Sequence, residues 1–449
     1  MYDLVIRGGT IVTPDDVLDV DLALQGEKIA ALGCSLEGKN VIDARGKLVF
    51  PGGIDPHVHF ALPVAGTFSA DDFSTGSAAA CAGGITTVID FTVGAAGRTI
   101  AEDLQKRLED ASASVVDYSF HGEVVGWHPG KLDEIREAIS LGIKSFKFFT
   151  AYGRSGRRTD TGPMFLSFRT LAEEDAVALV HAEDESLIGA FTAMLSPEEF
   201  KKMVTFARVR PDLCEASAVN TVAWLAAKTG VRCHIVHLSS ALGLEEVLLG
   251  KKRGAHLSAE TCPHYLLLTS EAYQGPEGHL FSAAPALRSV QNSDFLWQGL
   301  QEGAIDFAAT DHCPFSRKQK KWKGTFADLP GGLAGVETLL PLLYSEGVMK
   351  GKISLCDLVR ITSEEAAKLY GLYPRKGSLL PGSDGDLVLF DPEVEWTVKA
   401  ADLHSKADFS PYEGMQISGK VWKTLSRGEI IYSEGALLGT SGRGKFLPR

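Results

Sequence analysis

The sequence predicts an α/β protein: a (β/α)8 TIM barrel with a small β-sandwich domain built from both termini. Two observations predict this fold. Short apolar runs alternate with helical stretches through the middle of the chain, which is typical of a parallel sheet. Both ends instead show alternating apolar and polar residues with Gly-centred turns, the pattern of antiparallel strands. We place the sandwich at residues 1–50 and 375–449 and the barrel at 51–374.

Eight apolar runs are the candidate barrel strands. Helical runs separate most of them, as at 100–113, 131–141 and 217–229. The predicted strands cover residues 49–58, 86–91, 117–124, 145–150, 176–181, 232–238, 256–261 and 305–310.

Composition narrows the class of function. The 449-residue chain has a formal net charge of -12 and no cluster of Lys and Arg, so neither nucleic acid nor a membrane surface is an expected partner. Its seven cysteines are scattered and form no C-x-x-C pair, which favours reduced thiols in a cytoplasmic protein. No apolar run is long enough to span a membrane, and the N-terminus does not resemble a secretion signal.

A His-x-His pair after the first predicted barrel strand is the most informative motif. Side chains at i and i+2 of an extended chain point to the same face, so the imidazoles of His57 and His59 can reach one metal ion. His181, His237 and Asp311 end the fifth, sixth and eighth apolar runs. Because the C-terminal ends of barrel strands meet at one mouth, we expect these five side chains to form a metal site.

Lys147 is the unusual residue of the fourth predicted strand, where it lies between phenylalanines. One interpretation is a lysine whose apolar stem is buried while its ammonium reaches water. The other is an amine that burial makes neutral, which can react with carbon dioxide to give a carbamate. A carbamate would supply an anionic bridge between two metal ions. The residues alone leave both interpretations open.

Several motifs together resemble the cyclic amidohydrolases of the D-hydantoinase and dihydropyrimidinase group. The resemblance runs almost from end to end of the chain. It rests on the stretches PGGIDPHVH at 51–59, SFKFFTAY at 145–152, VHAE at 180–183, IVHLS at 235–239, ETCPH at 260–264 and TDHCPF at 310–315, with PRKG at 374–377 and GSDGD at 382–386.

The resemblance implies two divalent metal ions, usually zinc in this family. His57, His59 and Asp311 would hold one ion and His181 and His237 the other, with carboxylated Lys147 bridging both. Asp311 would also act as general base and then general acid. Four other histidines are expected to be structural: His121, His234, His264 and His312. Glu183 and Asp184 are not expected to bind metal.

Substrate contacts follow from the resemblance less directly. Tyr152 matches the tyrosine that hydrogen-bonds the developing oxyanion, although a half-buried structural tyrosine is the alternative. The family holds its cyclic imide through main-chain groups of a serine and an asparagine, and here Ala284 and Gly331 stand at those positions. Main-chain contacts survive such a change because every residue keeps its C=O. Leu62, Val64 and Phe68 belong to an apolar loop after the His-x-His pair. This loop resembles the one that packs on the exocyclic group of the substrate, and ordinary packing on the barrel is the alternative.

The implied activity is hydrolytic ring opening of a cyclic amide, a 5-substituted hydantoin or a dihydropyrimidine, by a metal-bridging hydroxide. Allantoinase is the alternative enzyme: Tyr152 argues against it, whereas Ala284 and the stretch around His264 favour it. A non-catalytic scaffold related to dihydropyrimidinase is the alternative of another class, but such proteins have lost metal ligands that are all present here. The expected partners are a small cyclic substrate and further copies of the chain, in a dimer or tetramer.

Overall fold

An eight-stranded parallel sheet is the centre of the computed structural model, which describes residues 1–95 and 97–449. Its strands neighbour one another in chain order, so the predicted (β/α)8 barrel is confirmed. In the described part of the chain they are Gly53–Asp55, Ile85–Thr92, Asp117–Glu123, Ser145–Phe149, Val177–His181, Arg232–Ile235, Leu257–Thr261 and Phe307–Ala308.

The first and the last barrel strands are joined just beyond their C-terminal ends. Val58 pairs with His312 in a parallel bridge, and the His59 N–H donates to the His312 carbonyl oxygen at 2.8 Å. The buried Asp55 carboxylate accepts from the main-chain N–H of Thr310 at 3.2 Å and from its hydroxyl. These bonds close the barrel at the edge where the candidate metal ligands lie.

The barrel strands are apolar because helices cover their outer faces. All eight residues of Ile85–Thr92 are buried, as expected for a strand enclosed on both sides. Within the described residues, no helix is both long and apolar enough to cross a membrane. The α-helices are Phe73–Ala82, Ile100–Asp110, Lys131–Ser140, Thr161–Glu173, Glu185–Ala193, Pro197–Phe200, Phe206–Val209, Asp212–Thr229, Ala241–Lys252, Pro263–Leu267, Val290–Gln301, Leu339–Leu343, Leu355–Val359 and Glu365–Leu369.

Strands from both ends of the chain form two further sheets that pack on one another. In the larger sheet, Leu387 pairs with Pro51, which joins a C-terminal strand to an N-terminal one. Apolar side chains from both sheets, including Leu24 and Leu389, form a separate core. The four-stranded sheet is Lys28–Gly33, Asp21–Gln25, Tyr2–Arg7 and Gly38–Asp43, and the seven-stranded sheet is Ala436–Leu437, Glu429–Ser433, Gln416–Ser426, Leu387–Thr397, Leu48–Pro51, Thr10–Val12 and Val17–Asp19.

The first predicted barrel strand was wrong in extent. The run 49–58 is two strands, because Leu48–Pro51 belongs to the seven-stranded sheet and Gly53–Asp55 to the barrel. The chain passes between the sheets at Gly52, where an added Cβ would lie 2.1 Å from the Thr86 hydroxyl oxygen. Only glycine fits so close an approach.

Two other predicted strands are shorter than expected. The sixth strand ends at Ile235, and the following residues turn, with His237 at a φ of 42°. The eighth strand is only Phe307–Ala308, and Asp311 has a φ of 48°. A strand does not continue through a left-handed residue, so His237 lies on a turn and Asp311 in an irregular segment, and neither lies on a strand.

A buried lysine joins the barrel to the sandwich. Lys376 is 1% exposed, and its Nζ lies 2.7 Å from carboxylate oxygens of Asp117 and Asp386 and 3.0 Å from Asp384. Asp117 begins the third barrel strand and also pairs with the Arg427 guanidinium from the sandwich. The cluster therefore holds the two parts of the fold together through opposite charges.

Replacing Lys376 by Met would remove the cation that contacts the buried Asp386 carboxylate. Asp117 would keep its pair with Arg427, and Asp384 would keep its pairs with Lys28 and Arg375. Breaking a buried ion pair from one side costs about 3–5 kcal/mol, so we expect the free energy of unfolding to fall by that amount. Urea unfolding measures the change, and Lys252→Met, at an exposed helical position, is the matched control. Equal unfolding midpoints for the two variants would contradict the role assigned to this cluster.

Candidate metal centre and active site

His57, His59 and Asp311 meet at the closed edge of the barrel. The Nε2 atoms of His57 and His59 lie 3.2 and 3.1 Å from Oδ1 of Asp311. One possible ligand atom from each of the three residues lies within 4.8 Å of the others. The extended segment through Val58 thus presents both imidazoles to the same carboxylate, and this group can hold one metal ion.

His181 and His237 form a second pair beside the first. Nδ1 of His181 lies 2.9 Å from Nε2 of His237. The His237 ring is 5.4 Å from the His57 ring, between centroids. The four imidazoles and the carboxylate therefore form one continuous cluster, in which His57, His181 and His237 are buried and His59 and Asp311 are partly exposed.

Lys147 contacts two phenylalanines, each of which packs on a histidine of a different pair. The side chain is 2% exposed, and its Nζ is 5.1 Å from the centre of the Phe91 ring and 5.4 Å from that of Phe149. Phe91 packs on the His57 ring at 4.9 Å, and Phe149 packs on the His181 ring at 6.0 Å. Burial lowers the pKa of Lys147 to about 8, so its ammonium loses a proton far more easily than an exposed lysine does.

Burial also keeps the imidazoles in the form that binds metals. It lowers the pKa of His57 to about 4 and those of His181 and His237 below their ordinary value, so these rings are neutral near pH 7. Burial alone would raise the pKa of Asp311, but His57 and His59 hold it at about 2. Nε2 of His57 and Nδ1 of His237 are buried without a hydrogen-bond partner. Neutral imidazoles with free nitrogens beside an ionised carboxylate suit a divalent ion such as zinc.

Three candidate site residues have left-handed backbone conformations. Tyr152, His237 and Asp311 have φ values of 70°, 42° and 48°. Such a conformation costs a residue other than glycine about 1–3 kcal/mol and tends to occur at functional sites. The main chain around Tyr152 is fastened, because the Gly153 N–H donates to a Glu185 carboxylate oxygen at 2.8 Å.

Tyr152 covers the His181 side of the cluster. Its ring centroid is 4.9 Å from that of His181, and the Arg210 guanidinium lies 5.7 Å from the Tyr152 ring centre. Arg210 pairs with Glu183, which also lies 2.9 Å from Nε2 of His181. Burial raises the pKa of Tyr152, so its hydroxyl remains protonated and can donate a hydrogen bond.

The two segments expected to hold the substrate ring meet one another. A Cβ added to Gly331 would lie 3.9 Å from the main-chain nitrogen of Ala284. Ala284 is half-buried and Gly331 is exposed. Their main-chain groups are therefore close enough to contact a single small molecule.

The apolar loop after the His-x-His pair is a hairpin. Pro63–Val64 pairs with Thr67–Phe68, and the Phe68 side chain is 61% exposed. The Ser69 hydroxyl donates to the His59 carbonyl oxygen at 2.7 Å and accepts from the Leu62 N–H at 2.9 Å. These bonds fix the hairpin directly beside a candidate metal ligand.

Glu260 is a site residue to which the sequence analysis gave no role. Its fully buried carboxylate contacts Nδ1 of His57 and lies 3.2 Å from Nε2 of His234. Burial would raise its pKa, but the two imidazoles hold it below its ordinary value. Its place at the end of the seventh strand was the available signal, since that position faces the same mouth.

The other histidines agree with the structural interpretation, with one exception. Both ring nitrogens of His121, His234 and His312 have hydrogen-bond partners. Nε2 of His264 is buried without one. Asp184 caps a helix by accepting from the N–H groups at 186 and 187.

The chain thus has the fold and the candidate site of a metal-dependent barrel hydrolase: an eight-stranded barrel with histidines and an aspartate at or beyond its strand ends. Residues 48–431 match the profile described as the Amidohydrolase family, and the chain belongs to that family. It is 39% identical to a D-phenylhydantoinase of Escherichia coli O1:K1 / APEC over 454 residues, 99% of this chain and 98% of the relative.

Solved structures agree with this assignment. A dihydropyrimidinase from Brevibacillus agri superposes with a TM-score of 0.97 at 35% identity, covering 100% of this chain and 99% of that one. An L-hydantoinase (dihydropyrimidinase) from Arthrobacter aurescens gives 0.92 at 31% identity, covering 100% of both chains. The resemblance to hydantoinases and dihydropyrimidinases is thereby confirmed, and these relatives do not favour the allantoinase alternative.

Glu260 orients His57, so Glu260→Gln should loosen the metal site without emptying it. Loss of such an outer carboxylate typically lowers metal affinity about 10- to 100-fold. Competition with a chromogenic chelator measures this affinity, and Glu245→Gln, at an exposed helical position, is the control. Equal affinities for the two variants would show that the contact with His57 does not support metal binding.

Proposed function

We propose that this protein is a binuclear metal-dependent cyclic amidohydrolase that opens the ring of a 5-substituted hydantoin or a dihydropyrimidine. The observation that carries the proposal is the proximity of four histidines, Asp311 and Lys147 at one largely buried site. This cluster occurs in a chain whose relatives are named hydantoinases and dihydropyrimidinases. The substrate of such an activity is a small molecule, and the apolar hairpin beside the cluster offers a surface that its ring substituent could contact.

In this proposal, His57, His59 and Asp311 would hold one divalent ion, and His181 and His237 would hold the other. Lys147, as a carbamate, would supply an anionic ligand to both. Its position between two phenylalanines and its lowered pKa support this, because only a neutral amine adds to carbon dioxide. When bound, the ions, zinc in our proposal, would polarise the substrate carbonyl and lower the pKa of water from 15.7 to about 7.

Asp311 and Tyr152 carry the proton transfer and the charge in our mechanism. The oxygen of water adds to a ring carbonyl carbon, and the bond from that carbon to the ring nitrogen breaks. Asp311 accepts the proton that water loses and returns it to the leaving nitrogen. The protonated hydroxyl of Tyr152 donates to the oxyanion while the tetrahedral carbon exists.

Main-chain groups of Ala284 and Gly331 would orient the imide, and the hairpin with Leu62, Val64 and Phe68 would contact the ring substituent. The apolar hairpin supports a hydrophobic substituent. The polar ureido group of allantoin would leave donors unpaired there, at a cost of about 1–3 kcal/mol each.

We further propose a homo-oligomer, a dimer or a tetramer, that acts in the cytoplasm. The seven free thiols, six of them wholly or partly buried, are consistent with a reducing compartment. The division into a sandwich of residues 1–50 and 375–449 and a barrel of 51–374 is likewise our proposal.

The decisive experiment is a substrate panel. Metal-replete protein is assayed with dihydrouracil, hydantoin, 5-phenylhydantoin, allantoin and dihydroorotate. We expect the highest kcat/KM for hydantoins or dihydrouracil, and a preference for allantoin would promote the alternative activity. Hydrolysis of none of the five would remove the proposed function.

Lys147→Ala removes the proposed bridge and leaves two cations facing one another. We expect a wild-type content near two divalent ions per chain, with metal and activity lost together in the variant. Elemental analysis measures the ions, and Lys228→Ala, at an exposed position, is the control. Partial rescue by short carboxylic acids would support the carbamate, whereas full metal content and turnover in Lys147→Ala would exclude it.

Tyr152→Phe removes a hydroxyl and keeps the ring that packs on His181. Loss of one oxyanion donor lowers kcat about 10²- to 10³-fold, and we expect this with unchanged metal content. Steady-state kinetics on hydantoin measure the effect against Tyr373→Phe, an exposed tyrosine. An unchanged kcat would remove Tyr152 from the mechanism.

A further inference from the structure

Lys320, beyond the eighth strand, is a fully buried lysine with no role in the proposed chemistry. It is 0% exposed, and its Nζ donates to the carbonyl oxygens of Leu280 at 2.7 Å and Ser282 at 2.8 Å. The faces of Phe315 and Phe409 lie 5.9 and 5.8 Å from the Nζ. Burial lowers its pKa to about 7. A buried amine held by carbonyls and rings is costly, so its position needs an explanation beyond packing.

One of the carbonyl groups that Lys320 binds, that of Ser282, also connects two main-chain segments, residues 280–284 and 330–332. We call this contact between the segments the joint. The Ser282 carbonyl oxygen also accepts from the Gly332 N–H at 2.9 Å. Ala284 and Gly331 lie on either side of this joint, where a Cβ on Gly331 would be 3.9 Å from the Ala284 nitrogen. The Lys320 ammonium thus binds the segment before Ala284 directly, and it supports the segment of Gly331 through the Ser282 carbonyl oxygen that Gly332 also contacts.

Gln319, the preceding residue, fastens a different wall of the same site. Its Nε2 donates to the Thr67 hydroxyl at 2.9 Å and to the Phe68 carbonyl oxygen at 2.7 Å. Its Oε1 accepts from the Ser316 N–H at 2.8 Å, which fixes the amide in the turn. Neighbouring side chains of one turn therefore hold the hairpin on one side and, through Lys320, the main-chain joint on the other.

We propose that Gln319 and Lys320 are positioning residues that divide the recognition of the substrate between them. Lys320 sets the main-chain groups that bind the ring imide, which every substrate of the class shares. Gln319 sets the hairpin that contacts the ring substituent, in which the substrates differ. This inference rests on the proposed function and adds to it the residues that determine specificity.

The division follows from what each contact can transmit. A main-chain N–H or C=O group moves only when its backbone moves. Displacement of the joint would therefore misplace the groups that bind the imide, and binding of every substrate ring would weaken. A displaced hairpin weakens only the contact with a substituent. Neither residue touches the groups that move protons, so both should affect binding of the ground state and transition state alike, which raises KM and leaves kcat unchanged.

Lys320→Met keeps an unbranched side chain that is one atom shorter, and it removes the N–H donors. We expect KM to rise by the same factor for unsubstituted hydantoin and for 5-phenylhydantoin, about tenfold or more, because displacements near 1 Å have effects of that order. Lys321→Met, the exposed neighbour, is the control and should leave both KM values unchanged.

Gln319→Ala should raise KM about tenfold for 5-phenylhydantoin and leave that for hydantoin unchanged. A general loss of packing would affect both substrates together, so the ratio of the two KM values separates positioning from structural damage. Equal effects on both substrates, or none, would overturn the role of Gln319.

Hydrogen exchange followed by mass spectrometry tests Lys320 without any assay of activity. The Gly332 N–H reports the joint, and peptides covering 328–334 should exchange faster in Lys320→Met than in Lys321→Met while other barrel peptides do not. Unchanged exchange there, or an unchanged KM in the folded variant, would overturn the role of Lys320. Failure of the wild-type protein to open any ring would instead remove the proposed function, and the exchange experiment would still decide whether Lys320 holds the joint.

Discussion

Closure of the barrel between its first and eighth strands is the constraint on which the site depends. The bridge from Val58 to His312 lies between the histidines of the His-x-His pair and directly after Asp311. The bonds that close the sheet are therefore the bonds that bring these three side chains together. Stability of the barrel and geometry of the candidate metal centre share the same main-chain contacts, so a change that opens this seam would affect both.

The second feature of the molecule is that ionisable side chains are buried with different numbers of opposite charges beside them. At the barrel mouth it produces neutral imidazoles and an amine that is easily deprotonated, as at His57 and Lys147. At the sandwich, Lys376 instead lies among three carboxylates, which raise its pKa although burial would lower it. The lysine ammonium is therefore easily deprotonated at the barrel mouth and held charged at the sandwich, where three carboxylates contact it directly.

Part of the site could be predicted because strand ends are visible in a sequence. An apolar run followed by His181 or Asp311 marks a position at the barrel mouth before any contact is known. The left-handed conformations of Tyr152, His237 and Asp311 could not be predicted, because none of these positions is occupied by glycine, the residue type that usually adopts them. Tertiary packing imposes these left-handed conformations on residues whose own preference is against them.

The sequence by itself determined the alternation of strands and helices, the two-ended sandwich and the strand ends that carry the candidate ligands, because periodicity and turn residues act over short distances. Only the tertiary structure decided that Glu260 supports His57, 203 residues away, and that Gln319 reaches the hairpin at Phe68, 251 residues away. Contacts across such separations depend on how the barrel closes and which side chains become buried together. No local pattern records them.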